Sequence, residues 1–289
     1  MQKGGTKQKL RKKQSQELPG KESKMIPAPV FDDVTKKGSD KLKGKVAVIT
    51  GGDSGIGRAV AILFAKEGAD IAIMYLNEHS DARETKKLIE ETYGRKCILF
   101  PGDIAKETFC ISSIKKISKA YKRIDILVNN AAVQYENASI QDITSKKLIK
   151  TFATNIFSMF YLTKAVLDVM PEGGAIINTT SVTAYRGSGN LIDYASTKGA
   201  IVSFTRSLAS NLMDKKIRVN AVAPGPVWTP LIPASFDSKK TAMHGSDAPM
   251  KRAGEPIEIA PCYLLLACDD SSYMSGQVLH PNGGEIING

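Results

Sequence analysis

Seven short apolar runs, KVAVIT, DIAIMY, KCILFP, DILVNN, GAIINTT, IRVNAVAP and GQVLHP, punctuate this chain from Lys45 onward and leave it few folds to choose from. Within most runs apolar residues follow one another instead of alternating with polar ones, so both faces of each predicted strand must be covered. The longer segments between the runs repeat apolar residues at helical intervals, as in GRAVAILFAKEG at 57–68 and SDARETKKLIEETYG at 80–94, and both of these stop at glycine. Strands alternating with amphipathic helices predict an α/β protein with one seven-stranded parallel sheet and helices on both faces. Neither a short-period repeat nor a Pro/Gly/Ser linker divides residues 43–289, which are read as one domain with its functional loops at the carboxyl ends of the strands.

A chain of 289 residues that is 42% hydrophobic has the material for a large core. It opens on lysines and glutamines and holds no apolar run long enough to span a bilayer, which predicts no membrane span, no secretion signal and a cytoplasmic location. Cys97, Cys110, Cys262 and Cys268 lack CxxC spacing and are read as reduced core thiols. With His79, His244 and His280 scattered, none at ligand spacing from a cysteine, no metal site is expected. The net charge of +11 is concentrated at one end, where residues 1–45 hold 13 Lys and Arg against 5 Asp and Glu. The basic segment MQKGGTKQKLRKKQSQELPGKESK has too few apolar residues to fold alone and is expected to be flexible through about Lys24. MIPAPVFDD, with Ile26, Val30 and Phe31, is expected to lie as an extended strap over the body or a neighbouring subunit. Residues 1–42 are therefore a basic extension that either solubilises the chain or adheres to polyanions or anionic lipid, with no specific nucleic acid implied.

Two local patterns carry chemistry. Directly after KVAVIT comes GGDSGIG, so that Thr50, Gly51, Gly55 and Gly57 stand between a buried strand and an amphipathic helix. Glycines there permit a tight turn and let the backbone approach a pyrophosphate, which the positive end of the helix attracts. Further on, DYASTKGA places Tyr194 and Lys198 on one face of a helix, where an ammonium can act on a phenol, although such a pair is equally at home on a solvated surface. TGxxxGxG, NNAA at 129–132, Ser181 and YxxxK at 194–198, in this order and spacing, resemble the short-chain dehydrogenase/reductase family over about residues 43–289. The long lead from MIPAPVFDD and the ending HPNGG at 280–284 are similar to a bacterial branch described as glucose/ribitol-dehydrogenase-like or general stress oxidoreductases.

The resemblance implies a Rossmann fold, a nicotinamide cofactor and hydride transfer between that cofactor and a carbonyl or alcohol. It implies that Tyr194 is the acid/base, that Lys198 lowers the phenol's pKa and bonds the nicotinamide ribose, and that Ser181 holds the substrate oxygen. Asn155 would hold a water that relays protons from Lys198. The implied cofactor residues are Gly51, Asp53, Ser54, Gly55, Ile56 and Gly57 in the first turn, and Tyr75, Leu76 and Asn77 after the second strand. Asp103 with Ile104 would meet the adenine, an aspartate equally suited to cap the helix that begins near AKETF. Asn130, Ala131 and Ala132 would shape the channel beside the adenine ribose; Ala132 stands where glycine is more usual and needs a negative φ. Pro224, Gly225, Val227 and Thr229 would border the nicotinamide.

NADP-preferring relatives commonly carry Arg or Lys where this chain has Ser54 and the stretch Tyr75 to Asn77, while the aspartate that often ends the second strand in NAD-preferring relatives is also missing, with Tyr75 in its place. Glu78 either binds ribose hydroxyls or simply begins the next helix, and NAD is expected, with NADP possible. Ser181, Thr183, Gln134 and Tyr185 are the candidate substrate residues, in a lining completed by Tyr135, Val182, Arg186, Asn190 and the loop from Trp228 to His244. This mixed polar and aromatic wall suits a small aldehyde, ketone, sugar or polyol. The resemblance also implies a homo-oligomer, a tetramer by family habit. The rival from another class is a non-catalytic dinucleotide-fold binding protein that uses the basic tail on nucleic acid or anionic membrane.

Overall fold

In the computed structural model, which describes residues 6–287, each apolar run becomes a strand: β1 (Val46–Thr50), β2 (Asp70–Tyr75), β3 (Cys97–Pro101), β4 (Ile126–Asn129), β5 (Ala175–Thr179), β6 (Arg218–Val222) and β7 (Val278–Leu279). They form one sheet in the order β3-β2-β1-β4-β5-β6-β7, parallel throughout. Ten α-helices connect or cover them among the described residues: α1 (Gly55–Lys66), α2 (His79–Tyr93), α3 (Glu107–Tyr121), α4 (Ser145–Phe152), α5 (Ser158–Leu167), α6 (Thr183–Arg186), α7 (Ile192–Asn211), α8 (Leu231–Ser235), α9 (Ser238–Ala242) and α10 (Pro256–Ala267). Every residue of β1, β4 and β5 is buried, as continuous apolar runs require when helices cover both faces. One core joins α1, α2 and α10 to the sheet through Val60, Phe64, Ile89, Tyr263 and Leu266; the other joins α3, α5 and α7 through Ile114, Ile117, Leu162, Val166 and Ala209. The body is a single Rossmann-like domain.

Strand order reverses between β1 and β4, and the chain departs to opposite sides there, which opens a crevice at the carboxyl ends. Thr50 ties its two lips together, because its hydroxyl accepts from the N–H groups of Asn130 (2.9 Å) and Ala131 (3.0 Å). Cys97, Cys110, Cys262 and Cys268 are free thiols, and burial pushes Cys97 and Cys110 up to about 12. No described helix is long and apolar enough to cross a membrane, and among the described residues no cluster of His, Cys, Asp or Glu could hold a metal ion.

The first residues depart from expectation. Residues 1–5 of the extension lie outside the described residues, but residues 6–24, expected to be loose, pack along the body, with Gly20 and Glu22 buried. Among its described residues this arm's one helical element is the short turn Glu22–Lys24. The arm docks through backbone groups and a few charges that find partners on the body. Residues 25–42 continue across the surface. The carbonyl of Pro27 accepts from Trp228 Nε1 at 2.9 Å, Val30 N–H donates to Glu255 at 3.0 Å, and Leu42 is fully buried.

Candidate active site

The carboxyl ends of the strands open on a cleft of about 1300 Å3, large enough for a dinucleotide beside a small substrate. It gathers Gly51, Asp53, Ser54, Gly55, Ile56, Tyr75, Leu76, Asp103, Ile104, Asn130, Ala131 and Ala132 along one arm, and Ser181, Thr183, Gln134, Tyr185, Tyr194, Lys198, Pro224, Gly225, Val227 and Thr229 along the other. Gly57, Asn77 and Asn155 do not line it. Gly57 lies beneath the turn, where a Cβ would stand 1.9 Å from the Gly51 carbonyl oxygen, so α1 can pack against the turn only through glycine. Gly51 and Gly55 take φ of 64° and 53°, and the turn they make brings backbone close to the cleft at a helix start, a cradle that fits a pyrophosphate although the Gly55 N–H itself is taken by Glu22 at 2.6 Å. Ala132 is not among the residues with positive φ, so its methyl is accommodated.

Asp53 and Glu78 are both buried at the corner between the turn and β2. Burial, reinforced by the charge of Glu78, pushes the Asp53 carboxyl up to about 7. Its unfolded value is near 3.8, so the native state keeps a proton that the unfolded chain loses, and stability falls as pH rises from about 4 to about 7. Asp53→Asn is expected to shrink this fall. Melting temperatures of parent and variant from pH 5 to 8 check it, and equal declines would refute the assignment.

Asp103 is not the cap of α3, whose N-terminal flank is Lys106. One carboxylate oxygen accepts from Ala105 N–H at 3.0 Å and the other pairs with Lys150 Nζ at 2.7 Å. Burial pushes this carboxyl up, but Lys150 and the Ala105 amide outweigh it and hold the group below its ordinary value. Lys150, on α4, also lines the cleft. Nothing in the sequence pairs it with a residue 47 positions earlier.

Three side chains meet beyond the end of β5. Ser181 follows the strand, and its hydroxyl accepts from Thr183 N–H at 3.2 Å and lies near enough to the Tyr194 phenol to pull its pKa down. Tyr194 and Lys198 sit one turn apart on α7. This helix is pinned to the strand end by Thr180, whose hydroxyl donates to the Lys198 carbonyl at 2.7 Å. The Lys198 ammonium donates to Thr179 O at 2.8 Å and stands 5.3 Å from the centre of the Tyr194 ring. Burial, partly offset by Ser181, pushes Tyr194 up to about 12, while burial pushes Lys198 down to about 7. Burial is the largest influence on both groups; the expected lowering of the phenol by its lysine belongs to the site with a positive nicotinamide ring beside it.

Asn155 sits in a π-helical turn, Ala153–Phe157, between α4 and α5. Its amide accepts from Val133 N–H at 2.8 Å and donates to Val133 O at 2.9 Å and to Thr197 Oγ1 at 3.1 Å. The side chain therefore braces the loop after β4 against α7, next to Lys198, instead of facing the cleft.

The family described as enoyl-(acyl carrier protein) reductase matches residues 51–285. General stress protein 39 of Bacillus subtilis is 57% identical over 269 residues, 93% of this chain and 94% of its own, a match that leaves out too few residues to omit the whole extension. Glucose and ribitol dehydrogenase of Daucus carota is 50% identical over 276 residues, 94% of this chain and 95% of its own. Among solved structures, a short-chain dehydrogenase from Burkholderia cenocepacia in complex with NADP superposes with a TM-score of 0.79 at 29% identity, covering 84% of this chain and 98% of that one.

Proposed function

Because the chain belongs to the short-chain dehydrogenase/reductase family, we propose that it is a nicotinamide-dependent oxidoreductase acting on a small polar carbonyl or its alcohol, with Tyr194 as the acid/base. The observation that carries this reading is the convergence of Ser181, Tyr194 and Lys198 on the same cleft as the glycine turn. When bound, the nicotinamide supplies or accepts the hydride. The turn from Gly51 to Ile56 would hold its pyrophosphate, Asp103 and Ile104 its adenine, Lys198 its ribose, and the stretch from Pro224 to Thr229 its ring.

A phenol held up to about 12 carries its proton at working pH, so Tyr194 is ready to protonate the oxygen of a carbonyl under reduction. The Ser181 hydroxyl steadies that oxygen while charge develops on it. A Lys198 ammonium favours the phenolate that the transfer leaves behind. These three roles favour reduction over oxidation as the working direction. Asn155 is a positioning residue, keeping α7 and the loop after β4 in register.

The wall supports a substrate class: Gln134 is buried, the Tyr185 and Thr183 hydroxyls are buried without protein partners among the described residues, and Arg186 pairs with Glu285 at 2.8 Å. Such a lining favours aldehydes, sugars or polyols over long apolar chains. At the corner beside β2, the described lining residues Asp53, Ser54, Tyr75, Leu76 and Glu78 bring two carboxyls and no cation, which favours the free ribose hydroxyls of NAD over the phosphate of NADP. A binding protein acting through a free basic tail is less well supported, since residues 6–24 are engaged with the body.

The test is a panel of aldehydes, ketones, sugars and polyols assayed with NADH and NADPH, and in reverse with NAD and NADP. Turnover is expected with small polar carbonyls and more efficiently with NADH. Silence across the panel would sink the reading, and tighter binding of NADPH would reverse the cofactor preference.

A further inference from the structure

Arg58 lies in the first turn of α1, 2% exposed, at the end of the helix that repels positive charge. No acidic residue of that turn compensates it, and Ser54, in the capping position, makes no side-chain bond to the helix. Compensation comes from Glu84 of α2, 3.4 Å from Arg58 Nη2 and largely exposed, and from the buried Glu22 of the N-terminal arm. Glu22 takes Arg58 Nη1 on one carboxylate oxygen at 2.7 Å and the Gly55 N–H on the other at 2.6 Å. Arg58 in turn donates through Nε to the Asp53 carbonyl at 2.9 Å, and Glu22 N–H donates to Asp81 at 2.8 Å. The carboxylate that finishes the glycine turn is thus supplied from outside the sheet.

The same arm reaches the other side of the cleft. A Cβ on Gly20 would lie 2.3 Å from Pro230 O, so the arm and the loop after β6 touch backbone to backbone. Pro230 follows Thr229, whose side chain lies against Gly55. Farther along, Gln16 N–H donates to Pro233 O at 2.7 Å, Leu10 N–H to Ala242 O at 2.8 Å and Gln8 N–H to Ser246 Oγ at 3.2 Å. The Arg11 guanidinium covers the Trp228 ring at 4.3 Å, and Met25 packs with Trp228 and Ile232. Lys7, Leu18, Pro19 and Gly20 themselves line the cleft.

We propose that residues 7–25 are a working wall of the dinucleotide site: Glu22 is the positioning residue that fixes the glycine turn through Gly55 and Arg58, and the arm holds the loop 228–246 against that turn. This rests on the nicotinamide reading and deepens it, because a turn and a loop already held in place lose less freedom when a cofactor binds.

The experiment uses three chains beside the parent: one lacking residues 1–24, full-length Glu22→Gln and full-length Gly20→Val. Trp228 is the sole tryptophan, so its emission and acrylamide quenching report arm docking without any cofactor. Hydrogen exchange over 51–58 and 228–246 reports the turn and the loop, and titration with NADH and NADPH gives dissociation constants. The truncated chain should show red-shifted, more quenchable emission, faster exchange in both segments and cofactor binding weaker by about tenfold or more. Glu22→Gln should speed exchange mainly at the turn and raise the cofactor KM severalfold while kcat at saturating cofactor changes far less. Gly20→Val should move the loop signals in the same direction, which keeps the proposal open to test if the truncated chain does not fold. Unchanged exchange and affinity in Glu22→Gln and Gly20→Val would overturn it, as would tighter binding once the arm is removed. Failure of the parent to bind either nucleotide would instead refute the nicotinamide reading, leaving the exchange and fluorescence results to judge the arm.

Discussion

Tyr194→Phe is expected to lower turnover by about a thousandfold or more while leaving cofactor affinity within about threefold. The substitution removes one oxygen from a side chain whose ring faces Lys198 at 5.3 Å, and the ring, the helix and the lysine's bond to Thr179 can all persist. What disappears is the proton that burial keeps on the phenol. Neither Ser181 nor Lys198 can replace it: a serine hydroxyl is a far weaker acid, and Lys198 is turned toward the Thr179 carbonyl. Since the proton is needed only as the carbonyl is reduced, kcat and kcat/KM should fall together, with KM for the carbonyl little changed. Steady-state kinetics in the reductive direction, with cofactor binding measured separately, check this. A variant that turns over as fast as the parent would remove Tyr194 from the chemistry. One that loses cofactor affinity to the same degree as rate would recast it as a binding residue.

Strands and the glycine turn were legible because each is dictated locally. A strand covered on both faces must be mostly apolar, as VAVI of β1 is, and a helix on which a Cβ would stand 1.9 Å from the Gly51 carbonyl oxygen must use Gly57 there. Pairings across the fold were not legible, because they depend on which strand ends the topology brings together. Asp103 reads as an adenine residue that could equally cap a helix, and neither reading foresees its pairing with Lys150 of α4. Asn155 reads as a relay, and its amide's bonds to Val133 and Thr197 have no signal in the sequence. For the arm a signal did exist in the sequence: Arg58 interrupts the apolar helix GIGRAVAILFA, and a charge buried in such a helix needs a partner. Composition alone could not say that the partner was Glu22, because a segment without a core of its own is told apart from a loose tail only by the surface it meets.

The state of Lys198 sets the second large effect. Burial brings this amine down to about 7, so it is an ammonium below that pH and neutral above it. Reduction leaves negative charge on the Tyr194 oxygen, and a neighbouring ammonium stabilises that charge where a neutral amine does not. The kcat/KM for reduction should therefore be highest below about pH 7 and decline as pH rises through that value, with the decline belonging to Lys198 in the free enzyme. Lys198→Met keeps much of the buried stem but carries no charge at any pH, and it also gives up the bond to Thr179 O. Its reductive rate should be lower by about a hundredfold or more at pH 6, by less at pH 9, and level in between. Matched pH–rate profiles of the two proteins decide the matter. A parent profile that is flat across this range, or a variant that declines in parallel with the parent, would mean that the titrating charge is not Lys198 and that the phenolate is stabilised by some other group.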